Sequence, residues 1–266
     1  MPVEKVRYAV MSDVHSNPAA LAAAVADARR RGCNRFVMLG DVTGYGYDVK
    51  TAMEIVRADF DIVLMGNHDS ACLGLEPERE VMRNRNYRVD VLQRDSLDGE
   101  GLKWLGGRPY LHVEGDAAFV HGDFTNPSAW NYVFYAQDAI VSLLSRRERI
   151  LFCGHTHHAA AWEMPRGGFV RPRLLRHLSQ PAVRPDTRSF ALRENCRYIV
   201  NVGSVGHPRC DRCSTYAIYD SDAGRLSFRR LPVNLVEYAT ALEKAGIDLP
   251  LWLHDAIARM ESRVPS

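Results

Sequence analysis

No apolar run in this 266-residue chain approaches the roughly twenty residues of a membrane-spanning helix, so a helical membrane protein is excluded. Excess charge is also missing. With 34 Lys and Arg against 32 Asp and Glu, the formal net charge is +2, which by composition alone points to neither a nucleic acid nor an anionic membrane as partner. The six cysteines, at positions 33, 72, 153, 196, 210 and 213, fall mostly in apolar or strand-like contexts. Only Cys210 and Cys213 have Cys-x-x-Cys spacing, and without a second such pair a four-cysteine zinc site is incomplete, which leaves a turn with two reduced thiols. No secretory leader precedes the first apolar run, so the expected location is cytoplasmic. Internal repeats, low-complexity tracts and dividing linkers are absent, and residues 1–266 read as a single domain. What is present is a 46% hydrophobic composition, enough for a substantial core.

The chemistry-bearing residues sit where apolar runs stop. Ile150-Leu151-Phe152-Cys153 is followed by Gly154-His155-Thr156-His157, and Tyr8-Ala9-Val10-Met11 leads to Asp13 and His15. In an extended strand, side chains two apart point the same way, so each pair is expected to converge on one point, as metal ligands do. Phe36-Val37-Met38-Leu39 leads to Gly40-Asp41, Ile62-Val63-Leu64-Met65 to Gly66-Asn67-His68-Asp69, and Ala118-Phe119-Val120 to His121. Carboxylate, imidazole and carboxamide donors suit Mn, Fe, Zn or Mg better than soft ions, and seven of them are too many for one ordinary site.

The ordered series Asp-x-His, Gly-Asp, Gly-Asn-His-Asp, His, Gly-His-x-His resembles the calcineurin-like metallophosphoesterases, in particular their bacterial and archaeal phosphodiesterase-like branch, over nearly the whole chain. The resemblance implies two divalent ions, Mn favoured, with Asp13, His15 and His157 on one, Asn67, His121 and His155 on the other, and Asp41 bridging them. It implies hydrolysis of phosphodiester or nucleotide phosphoanhydride bonds by in-line attack of a hydroxide shared by the two ions. His68 would be a catalytic non-ligand serving the leaving oxygen, with Asp69 orienting it. Gly40 to Tyr47 looks like the Gly-Asp-x-x-Gly-Tyr-Gly loop of that branch, which makes Tyr45 a candidate substrate contact. Asn201-Val202-Gly203-Ser204-Val205-Gly206-His207-Pro208-Arg209 resembles a second loop of the branch, with Val202 in place of the usual proline and Arg209 available to a phosphate.

The implied fold is α/β: a four-layer α-β-β-α sandwich of two mixed sheets flanked by helices. Local signals agree with it. Asn17-Pro18 starts a helix that Gly32 stops, Asp48 opens a second, and the β-α-β-α-β series predicts parallel strands with ligands at their carboxyl ends. Residues 70–105 predict a small helical insert, 158–232 predict β structure, and 233–262 a helical tail broken at Gly246. His158 is expected to point away from His157, and His112, His177 and His254 have no ligand context. Six arginines between 166 and 188, opposed only by Asp186, suit either a solvated hairpin or a polyanionic substrate.

A small phosphorylated substrate, such as a nucleotide, is the expected partner; nucleic acid is not favoured, and no membrane is expected. The alternatives are a phosphomonoesterase or protein phosphatase, and a non-catalytic metal-binding scaffold. Phosphoprotein phosphatases of the superfamily carry Gly-Asp-x-x-Asp-Arg-Gly, where this chain has Val42-Thr43-Gly44-Tyr45-Gly46 after Asp41, which counts against protein substrates.

Overall fold

The computed structural model describes residues 6–76, 87–172, 186–209 and 213–261. Two six-stranded mixed sheets form its centre. The first contains β1 (Arg7–Met11), β2 (Arg35–Met38), β3 (Ile62–Val63), β9 (Asp186–Ala191), β11 (Cys213–Asp220) and β12 (Arg225–Pro232), in the order β3-β2-β1-β11-β12-β9. The second contains β4 (Leu111–Glu114), β5 (Ala117–Val120), β6 (Ile150–Cys153), β7 (Ala160–Pro165), β8 (Arg171–Pro172) and β10 (Cys196–Asn201), in the order β4-β5-β6-β10-β7-β8. β1, β2 and β3 run parallel, as do β5, β6 and β10. The other pairings are antiparallel.

The strands are apolar on both faces because both faces are covered. Tyr8 and Val10 of β1 pack between the sheets with Phe119, Phe152, Tyr198 and Tyr219. Their neighbours Ala9 and Met11 point outward to α1 (Pro18–Arg30) and α2 (Val49–Asp59), meeting Leu21, Ala24, Ala52 and Val56. On the opposite face, Leu151 and Cys153 of β6 meet Ala139 and Leu143 of α6 (Ala136–Ser145). The four expected layers are therefore present. Asn17 and Asp48 cap α1 and α2 through bonds from Ala20 N–H and Thr51 N–H.

The described part of the insert holds the short α3 (Asn67–Cys72), α4 (Arg88–Ser96) and α5 (Gly99–Gly106). The tail forms α7 (Leu235–Lys244) and α8 (Leu251–Glu261), separated at Gly246, whose φ of +70° ends the first helix. No helix among the described residues is long and apolar enough to cross a membrane. Cys213 is buried at the start of β11, while Cys210 lies outside the described residues, as do His177 and Arg173, Arg176 and Arg184 of the arginine-rich stretch.

Candidate metal centre

All seven donors gather at one end of the two sheets, and each is buried. The pairs do not converge as residues of extended strands. β1 ends at Met11 and β6 at Cys153, so both pairs lie in the following loops, where Asp13, His15, Asp41, His155 and His157 all have left-handed φ between +47° and +66°. That conformation costs a non-glycine residue roughly 1–2 kcal/mol, and it is tolerated because neighbouring loops hold the backbone. Asp13 N–H donates to Gly40 O, His15 N–H to Asp41 O, and Gly206 N–H to Asp13 O. Gly40 itself has φ +115°, and a Cβ there would lie 2.8 Å from Gly66 Cα, so the loops after β2 and β3 can touch only through glycine.

The donors form two groups. In one, His15 Nε2 is 3.1 Å from His157 Nε2, and Asp13 Oδ1 lies 3.7 and 3.3 Å from those two nitrogens. His15 Nδ1–H donates to Thr43 O at 2.9 Å and His157 Nδ1–H to His207 O at 2.7 Å. In neutral rings both Nε2 atoms are then lone-pair acceptors facing each other and a carboxylate. Such an arrangement requires a positive charge between them. In the other group, His121 Nε2 is 3.1 Å from Asn67 Oδ1, 3.2 Å from His155 Nδ1 and 3.3 Å from Asp41 Oδ2. The Asn67 Nδ2–H bond to Tyr87 Oη turns its Oδ1 inward.

Asp41 links the groups through one oxygen. Oδ1 accepts from His68 N–H at 2.9 Å, whereas Oδ2 lies 3.3 Å from His121 Nε2 and 3.7 Å from His15 Nε2. Asp41 Oδ2 and Asp13 Oδ1 are buried and accept no hydrogen bond among the described residues. Burial pushes the pKa of His15 down to about 4 and that of His155 down to about 3. Burial opposes charge on His121 as well, but Asp41 outweighs it and holds that pKa up at about 9. A buried, acceptor-rich pocket with two orphaned carboxylate oxygens fits divalent cations.

Residues 6–224 match the sequence profile described as the calcineurin-like phosphoesterase superfamily domain. The chain is a calcineurin-like phosphoesterase. An uncharacterized protein of Methanocaldococcus jannaschii is 27% identical over 259 residues, covering 95% of this chain and 98% of the relative. The crystal structure of a metallophosphoesterase from Sphaerobacter thermophilus superposes with a TM-score of 0.75 at 29% identity, over 91% of this chain and 95% of that one. The two mixed sheets flanked by helices are the family's fold.

Within this phosphoesterase, His68 is buried beside the donors, and its ring lies edge-on to His15 at 4.9 Å. One of its nitrogens could also join His15 and Asp41 as a third three-residue group. The expected orienting role of Asp69 is not what the structure contains. Asp69 accepts backbone N–H bonds from Asp41, Val42, Thr43 and Gly66, tying two donor loops together. The carboxylate on His68 is Asp90 of α4, with Oδ2 2.8 Å from Nδ1. Burial raises the Asp90 pKa to about 6; burial opposes charge on His68, yet Asp90 raises its pKa above the ordinary histidine value. Sequence reasoning missed Asp90 because it lies inside a polar helical stretch. In the fold the pair packs against Gly44, where a Cβ would come within 2.5 Å of His68 Nδ1 and 3.0 Å of Asp90 Oδ1.

Tyr45 is half-buried and its ring stacks on His207 at 4.4 Å, so that face is not open to a base. Its hydroxyl accepts from Arg209 at 3.3 Å. His207, in the loop that resembles the second one of the branch, is buried and supports the centre: its carbonyl orients His157, and its Nε2 accepts from Trp252 Nε1–H at 3.1 Å, tying α8 to the donors. Arg171 pairs with the buried Glu163 at 2.8 Å and so is committed within the sheet. His112 lies 3.6 Å from Glu114, and His254 is exposed on α8.

Proposed function

We propose that this phosphoesterase uses two divalent ions to hydrolyse phosphodiester or nucleotide phosphoanhydride bonds. The observation that carries the reading is Asp41 Oδ2, a buried carboxylate oxygen without a hydrogen-bond donor among the described residues, positioned between two groups of imidazole, carboxylate and carboxamide donors. In this reading Asp13, His15, His157 and Asp41 hold one ion, and Asn67, His121, His155 and Asp41 hold the other. The donor set suits borderline or hard ions, and Mn is the ion we would supply. Two such ions, when bound, would neutralise phosphoryl charge and lower the pKa of a nearby water.

The residues around the ions have separate tasks. Nδ1–H bonds to the carbonyls of Thr43 and His207 keep the Nε2 lone pairs of His15 and His157 turned inward. His68 gives a proton to the leaving oxygen, and Asp90 keeps its ring oriented with Nδ1 protonated. Arg209, with the Tyr45 hydroxyl beside it, contacts a phosphate oxygen. The whole chain acts as one domain in this reading. The buried thiols Cys33, Cys72, Cys153 and Cys196 suit a cytoplasmic location.

The test is product release from a panel of dinucleoside polyphosphates, cyclic nucleotides, short RNA and phosphopeptides, first with Mn and then with chelator. Metal-dependent cleavage of diesters or anhydrides is the expected result. Preference for phosphopeptides would move the reading to a protein phosphatase. Silence across the panel with two ions bound per chain would favour a scaffold.

A further inference from the structure

Exposed aromatic rings are rare enough beside a polar centre that a contiguous set needs a reason. Such a set follows β5. The loop from His121 to Tyr135 is pinned from beneath by Phe124 and Val133, both buried against α6. Trp130 Nε1–H donates to Glu76 Oε1 at 2.9 Å, and Asp138 Oδ2 accepts from the backbone N–H groups of Phe134 and Tyr135. In this segment Val133 is buried while Tyr132 and Phe134 on either side of it are exposed. With Val133 turned into the core, Tyr132 and Phe134 turn outward; they are 47% and 41% exposed, and their centroids are 5.4 Å apart.

This aromatic pair adjoins the donors directly. Tyr132 stacks face to face on His155, with centroids 4.1 Å apart and an interplanar angle of 6°. Phe134 lies 5.6 Å from His158, and Tyr135, 71% exposed, extends the surface at 6.2 Å from Phe134. His158 thus lies beside this shelf. Arg209 lies near both tyrosine hydroxyls: it donates to that of Tyr45 at 3.3 Å, and its charge counters the burial that raises the pKa of Tyr132.

We propose that Tyr132, Phe134 and His158 form a nucleobase-binding shelf, with Arg209 holding the phosphate between base and metal centre. This deepens the phosphoesterase reading and rests on it: the substrate is then a nucleotide-bearing diester or anhydride rather than a phosphopeptide or sugar phosphate. Aromatic faces accept any base by stacking, and Arg209 supplies the positive charge that a phosphate next to that base needs. The loop is held in place before any ligand arrives, so little ordering cost opposes binding.

Titration calorimetry of the Mn-loaded chain with adenosine 5′-monophosphate and with ribose 5-phosphate isolates the base. The expected result is at least about tenfold tighter binding of the nucleotide, falling to about threefold or less in both Phe134→Ala and Tyr132→Leu. Leu144→Ala, an exposed change on α6, should keep the full ratio. Phe134→Ala leaves the ring on His155 intact, and metal content checks the same for Tyr132→Leu. Equal affinity for the two ligands in the wild type would overturn the shelf, as would a nucleotide preference that survives both shelf substitutions, or no binding of either ligand. Metal-dependent hydrolysis, assayed separately, would stand in each of those cases if the phosphoesterase reading is right.

Discussion

His68, Asp69 and Asp90 illustrate what a single residue position reveals. The seven donors were legible because each ends an apolar run, where a buried polar side chain has few structural uses. Asp69 was misassigned for a simple reason: adjacency in the chain suggested contact with His68, whereas four backbone N–H groups hold its carboxylate. Asp90 left no such mark, since an Asp within a polar helix looks the same whether it faces solvent or a catalytic ring. His68→Ala is expected to retain both ions and lower kcat by about 10²- to 10⁴-fold, the usual worth of a positioned proton donor. Loss of metal in that variant would make His68 a ligand. Asp90→Asn should lower kcat by about 10- to 100-fold with metal content unchanged, and the loss should shrink for substrates whose leaving groups need no proton. An equal loss for every leaving group would remove Asp90 from the proton-transfer role.

At the scale of elements, the parallel run of the first three strands and the helix placement followed from apolar runs and caps, but the local conformation of the donor loops did not. Left-handed φ at Asp13, His15, His155 and His157 comes from hydrogen bonds between loops far apart in sequence, and those contacts have no local signature. The insert is a comparable case. Helices were expected in it, yet its contribution depends on two buried side chains of α4, Asp90 and Gln93. Gln93 accepts from Gly44 N–H at 2.7 Å and Ser16 Oγ–H at 3.0 Å, and donates to Gly46 O at 2.9 Å, so it fastens α4 to the loop that carries Asp41. Gln93→Ala leaves those groups unsatisfied and should cost about 1–3 kcal/mol, read as a lower urea midpoint with unchanged slope. No change in midpoint would mean that α4 is held to this loop by other contacts.

Across the whole molecule, α1 is joined to the first sheet by a buried ionic contact as well as by packing. Asp27 accepts from Arg229 Nε at 2.8 Å and from Tyr216 Oη at 2.7 Å. Burial opposes its ionisation, but the bonds from Arg229 and Tyr216 outweigh burial and lower its pKa from 3.8 to about 2. A carboxylate with a depressed folded-state pKa stabilises the fold above its unfolded value and stops doing so as pH falls through the folded one. The contribution is therefore complete above pH 3.8 and lost on the way down to about 2. Asp27→Asn should lower Tm near neutrality because Arg229 is left buried beside a neutral group, and should flatten the fall in Tm across that acid window. A variant with the wild-type acid slope would show that Asp27 does not contribute to it.

The central claim concerns two ions that Asp41 would help to hold, and metal content tests it most directly. Wild-type protein loaded with Mn and freed of excess should hold two ions per chain, and Asp41→Asn should lose affinity at both positions together, because Asp41 Oδ2 faces both donor groups. One ion per chain in the wild type, or loss of a single ion in Asp41→Asn with the other bound at wild-type affinity, would contradict the account.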